Sequence, residues 1–166
     1  MKPCCPLGRL LNAPMRPGTV AWIGLRPARR QGLIAVARAE LDPDGGLIGD
    51  HYQGRANRCR QVTLIGAEHI AAIGAFLGIG PIEPDLLRRN VVVSGINLHA
   101  LKGRRFSLGS ALLEATGECH PCSRMEQALG VGGYNAVRGQ GGVTARIVRA
   151  GTVAVGDAIC RRDEAD

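Results

Sequence analysis

The sequence predicts a mainly β fold, a β-barrel or folded sheet carrying a few short helices as α+β insertions, and three observations lead there. Short segments rich in aliphatic and β-branched residues recur along the chain, divided by Gly, Pro and Asp. The 24 glycines among 166 residues show no period, which suits many tight turns and excludes a collagen-like repeat. Helical periodicity is clear in only one segment longer than a few turns.

Taken in order, residues 1–17 read as a loose, Pro-rich leader, 18–162 as one domain and 163–166 as a tail. "GTVAWIGL" and "GLIAVARAEL" read as strands joined through "RPARRQ", and "LDPDGG" is a turn by its Pro, Asp and Gly content. "CRQVTLI" is a short strand leading into the helix "GAEHIAAIGAFLG", where Ile70, Ile73 and Leu77 share one face. Pro84 opens a helical turn through "DLLRR", "NVVV" is a buried strand, and "SGINLHALKG" is a loop. "RFSLGSALLEATG" supplies one or two strands. Ser123 to Leu129 forms a short helix, with Ser123 as N-cap and Glu126 in capping-box spacing. "VTARIVRAG" and "TVAVGDAIC" close the chain as two strands.

Composition narrows the function classes. A hydrophobic fraction of 45% with 21% charged residues is that of an ordinary globular protein. Aromatics at 3% argue against a stacking platform for single-stranded nucleic acid. A net charge of +7 points to an anionic partner, and the arginines are scattered, which suits a small anion at least as well as nucleic acid. No apolar run approaches the ~20 residues of a membrane-spanning helix, and prolines interrupt the N-terminal stretch where a secretory signal would be apolar. The 6 cysteines are therefore expected in a reducing cytoplasm, free, metal-bound or catalytic rather than in disulfides.

"GECHPCSRME", Gly117 to Glu126, is the most informative stretch. A structural zinc site needs a second ligand pair, and Cys160, His51, His69 and His99 stand isolated in the sequence, so no zinc is expected. A thioredoxin-like redox pair needs a βαβ context that the surrounding strands do not offer. The third reading is a single reactive thiolate at Cys122, next to a helix N-terminus whose free N–H groups favour an anion, with His120 and Arg124 beside it. Cys119 reads as an inert, buried cysteine.

Two further clusters carry cationic and polar groups. Arg88, Arg89 and Asn90 directly precede a buried strand, and arginine forks suit bidentate phosphate recognition. The Gly-rich segment from Gly46 to Ile65 carries Asp50, His51, Arg55, Arg58 and Arg60, and is expected to form a mobile loop over an anionic ligand.

Together these clusters resemble the MOSC domain, the C-terminal domain of molybdenum-cofactor sulfurases, which also occurs as small stand-alone proteins. The matching pieces are "GLIGDHYQG" followed by "RQVTLI", then "RRNVVVSGINL", "GECHPCSRM" and the closing "VGDAI", in the family's order and over nearly the whole chain. The resemblance implies a β-barrel-like fold. It implies that Cys122 is the family's hallmark cysteine, carrying a sulfane sulfur or ligating molybdenum of the pterin cofactor (molybdopterin), with no required role for Cys119. Arg88 and Asn90 match residues that help hold the pterin or its phosphate, and His120 matches a polar contact near the metal. The N-terminal β-barrel domain of larger molybdenum reductases and the aminotransferase-like, pyridoxal-phosphate domain of full sulfurases are not expected here.

The leading expectation is thus a cytoplasmic MOSC protein that handles sulfur or molybdenum cofactor through Cys122, with Arg88, Asn90, His120, Arg60, Asp50 and His51 around an anionic pterin ligand. Its partner would be a sulfur donor such as a cysteine desulfurase. One rival is a small molybdenum-dependent reductase of N-hydroxylated compounds, served by a redox partner protein. The other is a basic binding module without catalysis.

Overall fold

The computed structural model describes residues 6–52 and 57–162, so Cys4, Cys5, Arg55 and the expected tail at 163–166 lie outside the described residues. Helix α1 (Pro6–Leu11) precedes the strands β1 (Gly18–Leu25), β2 (Ile34–Ala35), β3 (Arg38–Asp42), β4 (Gly46–Leu47) and β5 (Val62–Gly66). Helix α2 (Ala67–Leu77) and a 3-10 turn at Pro84–Leu87 lead to β6 (Val91–Ser94), and a second 3-10 turn at Leu98–Leu101 leads to β7 (Arg105–Leu108) and β8 (Ala111–Glu118). Helices α3 (Ser123–Leu129) and α4 (Gly133–Val137) are followed by β9 (Val143–Arg149), β10 (Gly151–Ala154) and β11 (Ala158–Arg162).

Hydrogen bonding runs β11-β7-β8-β9-β5-β6-β1, and β11 also pairs with β1, which closes these strands into a barrel. The mainly β expectation and the barrel are therefore observed. Every neighbour in the ring is antiparallel except β5 and β6, whose parallel pairing needs the crossover that α2 supplies. A smaller sheet, β10-β3-β4, packs beside the barrel. The "LDPDGG" turn joins β3 to β4, and Asp42 Oδ2 holds it by accepting from the backbone N–H of Asp44 at 2.9 Å and Gly45 at 2.5 Å.

Alternation along the strands divides the apolar residues into two cores. Leu64, Val91 and Val93 point into the barrel with Ile23, Phe106, Leu108 and Leu113. Ile65 and Val92, one residue over, point outward and pack beneath Ile70, Ile73, Met125 and Val137 of the helical layer. That double-sided burial explains why "NVVV" reads as a continuous apolar run rather than an alternating one. Helix α2 ends where Gly78 adopts a left-handed φ of 65°. None of the helices in the described residues is long and apolar enough to cross a membrane.

The structure corrects three expectations and adds one helix. The leader is partly helical: the carbonyls that follow α1 accept hydrogen bonds from Arg161, Nη1 to Ala13 O at 3.0 Å and Nη2 to Asn12 O at 2.8 Å, which ties this segment to β11. "GLIAVARAEL" divides into β2 and β3 because β2 pairs with β1 whereas β3 pairs with β10 and β4. The C-terminal pair of strands is three, with Gly151 beginning a separate β10. Helix α4 was not visible as a pattern, since Gly133–Val137 has too few turns to show periodicity.

Gly142 is a backbone requirement of this fold. Its φ is +80°, and a Cβ there would collide with the Leu64 carbonyl. Gly142→Ala is expected to cost at least ~2 kcal/mol, from left-handed strain plus the clash, read as a lower urea midpoint at unchanged m-value.

Candidate functional site

The strand order brings the segments singled out in the sequence to one cavity of about 260 Å³. Asp50 and His51 line it from the first part of the Gly-rich segment, Arg60 from the approach to β5, Arg88 and Asn90 from the approach to β6, and His120 and Cys122 from the β8–α3 connection. Arg89 of the arginine pair lines it too, and Arg26, Tyr52, Thr63 and Met125, which no sequence pattern marks, complete the wall. Arg26 follows β1 at a long sequence distance from every motif, so no local signal marks it.

Cys122 is exposed, at the point where the chain enters α3. The capping expectation is corrected here. Cys122 itself is the N-cap, with φ −128° and ψ 172°, and its side chain makes no capping bond. Ser123 is the first helical residue. Glu126 does not close a capping box; its carboxylate reaches forward, Oε1 accepting from Gly132 N and Oε2 from Tyr134 N, each at 2.8 Å. These two backbone bonds, to Tyr134 and then Gly132, hold the Glu126 carboxyl below its ordinary value. The thiol at Cys122 is thereby left without an intrahelical task.

Cys119 is buried, as expected, yet it forms part of the same wall. Its N–H donates to Gly142 O at 2.9 Å, and its Sγ accepts from Arg60 Nη2 at 3.6 Å. Its carbonyl accepts from Arg89 Nη2 at 3.1 Å. Arg89 also donates from Nε to Gly141 O at 2.7 Å and from Nη1 to Leu87 O at 2.8 Å. Arg89 is 6% exposed, and among the described residues no carboxylate pairs with it. Burial lowers its pKa first, Cys119 acts in the opposite direction, and Arg60 lowers it further.

Arg88, its neighbour, also lines the cavity but is less buried, and its φ of 58° lies in the left-handed region. Its pKa is lowered by burial first, then by Arg26 and Arg124, while Cys122 favours its charge. Four arginines, at 26, 60, 88 and 89, thus line the cavity against a single carboxylate, Asp50. Asp50 Oδ1 is already engaged by Arg26 N at 2.7 Å and Asn90 Nδ2 at 3.1 Å.

Asn90 departs from its expected role as a ligand contact. Its Oδ1 accepts from Thr63 N and Thr63 Oγ1, and its Nδ2 donates to Gly24 O and Asp50 Oδ1. Both donors and both lone pairs are used, so Asn90 positions Asp50 and the β5–β6 edge instead of offering groups to a ligand. Arg58 also departs: it sits outside this cavity, its Nη1 2.6 Å from Asp44 Oδ1. The cysteines at 59, 119, 122 and 160 are all free. His69 and His99, isolated in the sequence, meet with ring centroids 5.4 Å apart. Among the described residues no group of three or more His, Cys, Asp or Glu side chains is arranged to hold a metal ion.

A family model described as the MOSC domain matches residues 48–160. No curated protein sequence matches the chain. Among solved structures, the YuaD protein from Bacillus subtilis superposes with a TM-score of 0.76 at 22% identity, covering 87% of this chain and 94% of that one. YiiM from Geobacillus stearothermophilus gives 0.72 at 16% identity, with 88% and 75% covered. YiiM from Escherichia coli gives 0.67 at 15% identity, with 89% and 71% covered. At these identities the structural likeness establishes the fold.

Two predictions follow from the geometry. Arg89→Lys cannot reproduce three divergent N–H bonds, and should lower unfolding free energy by about 3 kcal/mol in urea titration. Because Glu126 has a depressed native pKa, its contribution is present above the unfolded carboxyl value of 4.5 and is lost as pH falls through the native value. The amides of Gly132 and Tyr134 should therefore lose hydrogen-exchange protection under acid, and Glu126→Gln should remove that pH dependence.

Proposed function

Because the chain belongs to the MOSC domain family, we propose that it handles sulfur or the molybdenum cofactor through Cys122. The observation that carries this reading is an exposed, uncommitted cysteine at the edge of a cavity lined by four arginines and one aspartate. Such a wall attracts an anion, and guanidinium forks select phosphate or another planar or tetrahedral oxyanion.

The donor set fits a molybdenum–pterin group. Cys122 offers the soft sulfur that a sulfur-ligated metal accepts. Arg26, Arg60 and Arg88 offer cationic donors for a pterin phosphate, with His120 and His51 as further polar contacts. Once bound, that group would supply two-electron redox chemistry. The chain's own residues bind and orient: Asn90 fixes Asp50, Asp50 fixes the Arg26 backbone, and Arg89 fixes the Cys119 carbonyl.

Sulfur transfer requires less. The Cys122 thiolate attacks the outer sulfur of a persulfide on a donor protein such as a cysteine desulfurase. The donor's S–S bond breaks, its cysteine leaves as a thiolate, and Cys122 retains the transferred sulfur as a persulfide. No net oxidation occurs. The exposed position of Cys122 suits this exchange, because the donor sulfur must approach it directly.

Cys122→Ser should fold with unchanged thermal midpoint while losing both the mass gain of one sulfur atom on incubation with a persulfide donor and any copurifying molybdenum. Retention of sulfur loading and molybdenum by the variant would overturn the assignment.

A further inference from the structure

We propose that the outer face of β11, β7, β8 and β9 carries a second anion site, for a small phosphorylated molecule, built on Arg105, Arg146 and Arg58. The register of the strands places Arg162 opposite Arg105, Arg105 opposite Glu114, and Glu114 opposite Arg146. Residues directly opposite one another in antiparallel strands share a face, so this row carries three cations and one anion. The single carboxylate is committed, with Glu114 Oε2 2.9 Å from Arg146 Nη2. Arg162 Nε donates to Ser107 Oγ at 3.3 Å. Among the described residues, no carboxylate pairs with Arg105. Arg105 and Arg162 are thus like charges directly opposed, neither with a carboxylate partner among the described residues, an arrangement that is unfavourable in a sheet and that a bound anion would relieve.

A cleft of about 330 Å³ opens beside this row, and Arg58, Arg105 and Arg146 all line it. One wall is rigid. Gln61 is 2% exposed, its Nε2 donating to Pro43 O at 2.7 Å and its Oε1 accepting from Ile147 N at 2.8 Å. The opposite rim adjusts more easily, because the Arg58–Asp44 pair is solvent-exposed and such pairs are weak. Three guanidinium groups around one cleft suit the several oxygens of a phosphate or diphosphate. No aromatic side chain lines the cleft, so nothing is available to stack a base, which favours a small phosphorylated molecule over a nucleic acid. Gln61 is the one residue shared with the cavity at Cys122, and none of the arginines is shared.

The test is titration of the full, isotope-labelled chain with pyrophosphate, followed by backbone amide NMR. Wild type should show saturable shifts at Arg105, Arg146 and Ile147, separate from any at Cys119 to Met125. In Arg105→Gln/Arg146→Gln the first set should weaken at least ~tenfold in affinity while the second is unchanged. Arg29→Gln/Arg138→Gln, with the same loss of charge elsewhere, should bind as wild type. Should the double variant unfold, Arg58→Asn tests the same site from a surface loop, Asn tolerating the left-handed φ of 50° there. Shifts that persist in the double variant, an equal loss in the charge control, or no shift near Arg105 in wild type would each overturn the proposal. So would a short DNA duplex that perturbs these amides where pyrophosphate does not. Cys122→Ser should leave the Arg105 shifts intact, so this site stands or falls separately from sulfur handling.

Discussion

Arg89 is the interaction on which the site depends. Its guanidinium ties three backbone segments that are distant in sequence: the 3-10 turn before β6, the end of β8 at Cys119, and Gly141 before β9. A buried cation without a carboxylate is costly, and here carbonyl oxygens offset its lost hydration one bond at a time. A neutral or apolar residue would leave those carbonyls unsatisfied. The arrangement also puts a fixed positive charge behind the wall that carries Cys119 and faces Cys122. The same side chain therefore shapes the β8–α3 connection and sets the sign of its electrostatic surroundings.

The barrel makes that convergence possible. Closure between β11 and β1 removes free sheet edges and fixes the positions of loops at each end. The parallel β5–β6 pair is buried on both faces, so it provides the stiffest support available, and Arg60, Thr63, Arg88 and Asn90 all lie at or near its entrance. The helical layer then covers only one side. Met125 anchors α3 in the second core, while Cys122 at its start remains open to solvent. Rigid backbone and an accessible thiol are thus combined at one place.

The motifs were legible to different depths. Strand character and turns could be read because aliphatic segments between Gly, Pro and Asp leave few alternatives. Cys122 stood out from its spacing and its place before a helix. The adjacent pair Arg88 and Arg89 could not be separated by type, since nothing local says that one adopts a left-handed φ while the other is buried against three backbone carbonyls, both lining the cavity. Asn90 looked like a ligand contact because its amide can donate and accept; Thr63, Gly24 and Asp50 consume that capacity, and they become its neighbours only through strand pairing. Arg58 and Arg60, two residues apart, serve different clefts for the same reason.

By itself the sequence determined the barrel-forming strands, the family pattern and the cysteine at the helix start, because these follow from local backbone preference and the order of short motifs. Tertiary structure alone decided which arginines face the cavity, that Cys119 belongs to its wall, and that Arg105 and Arg162 oppose one another across a sheet. Those facts depend on register and burial, and both arise from packing between segments far apart in the chain.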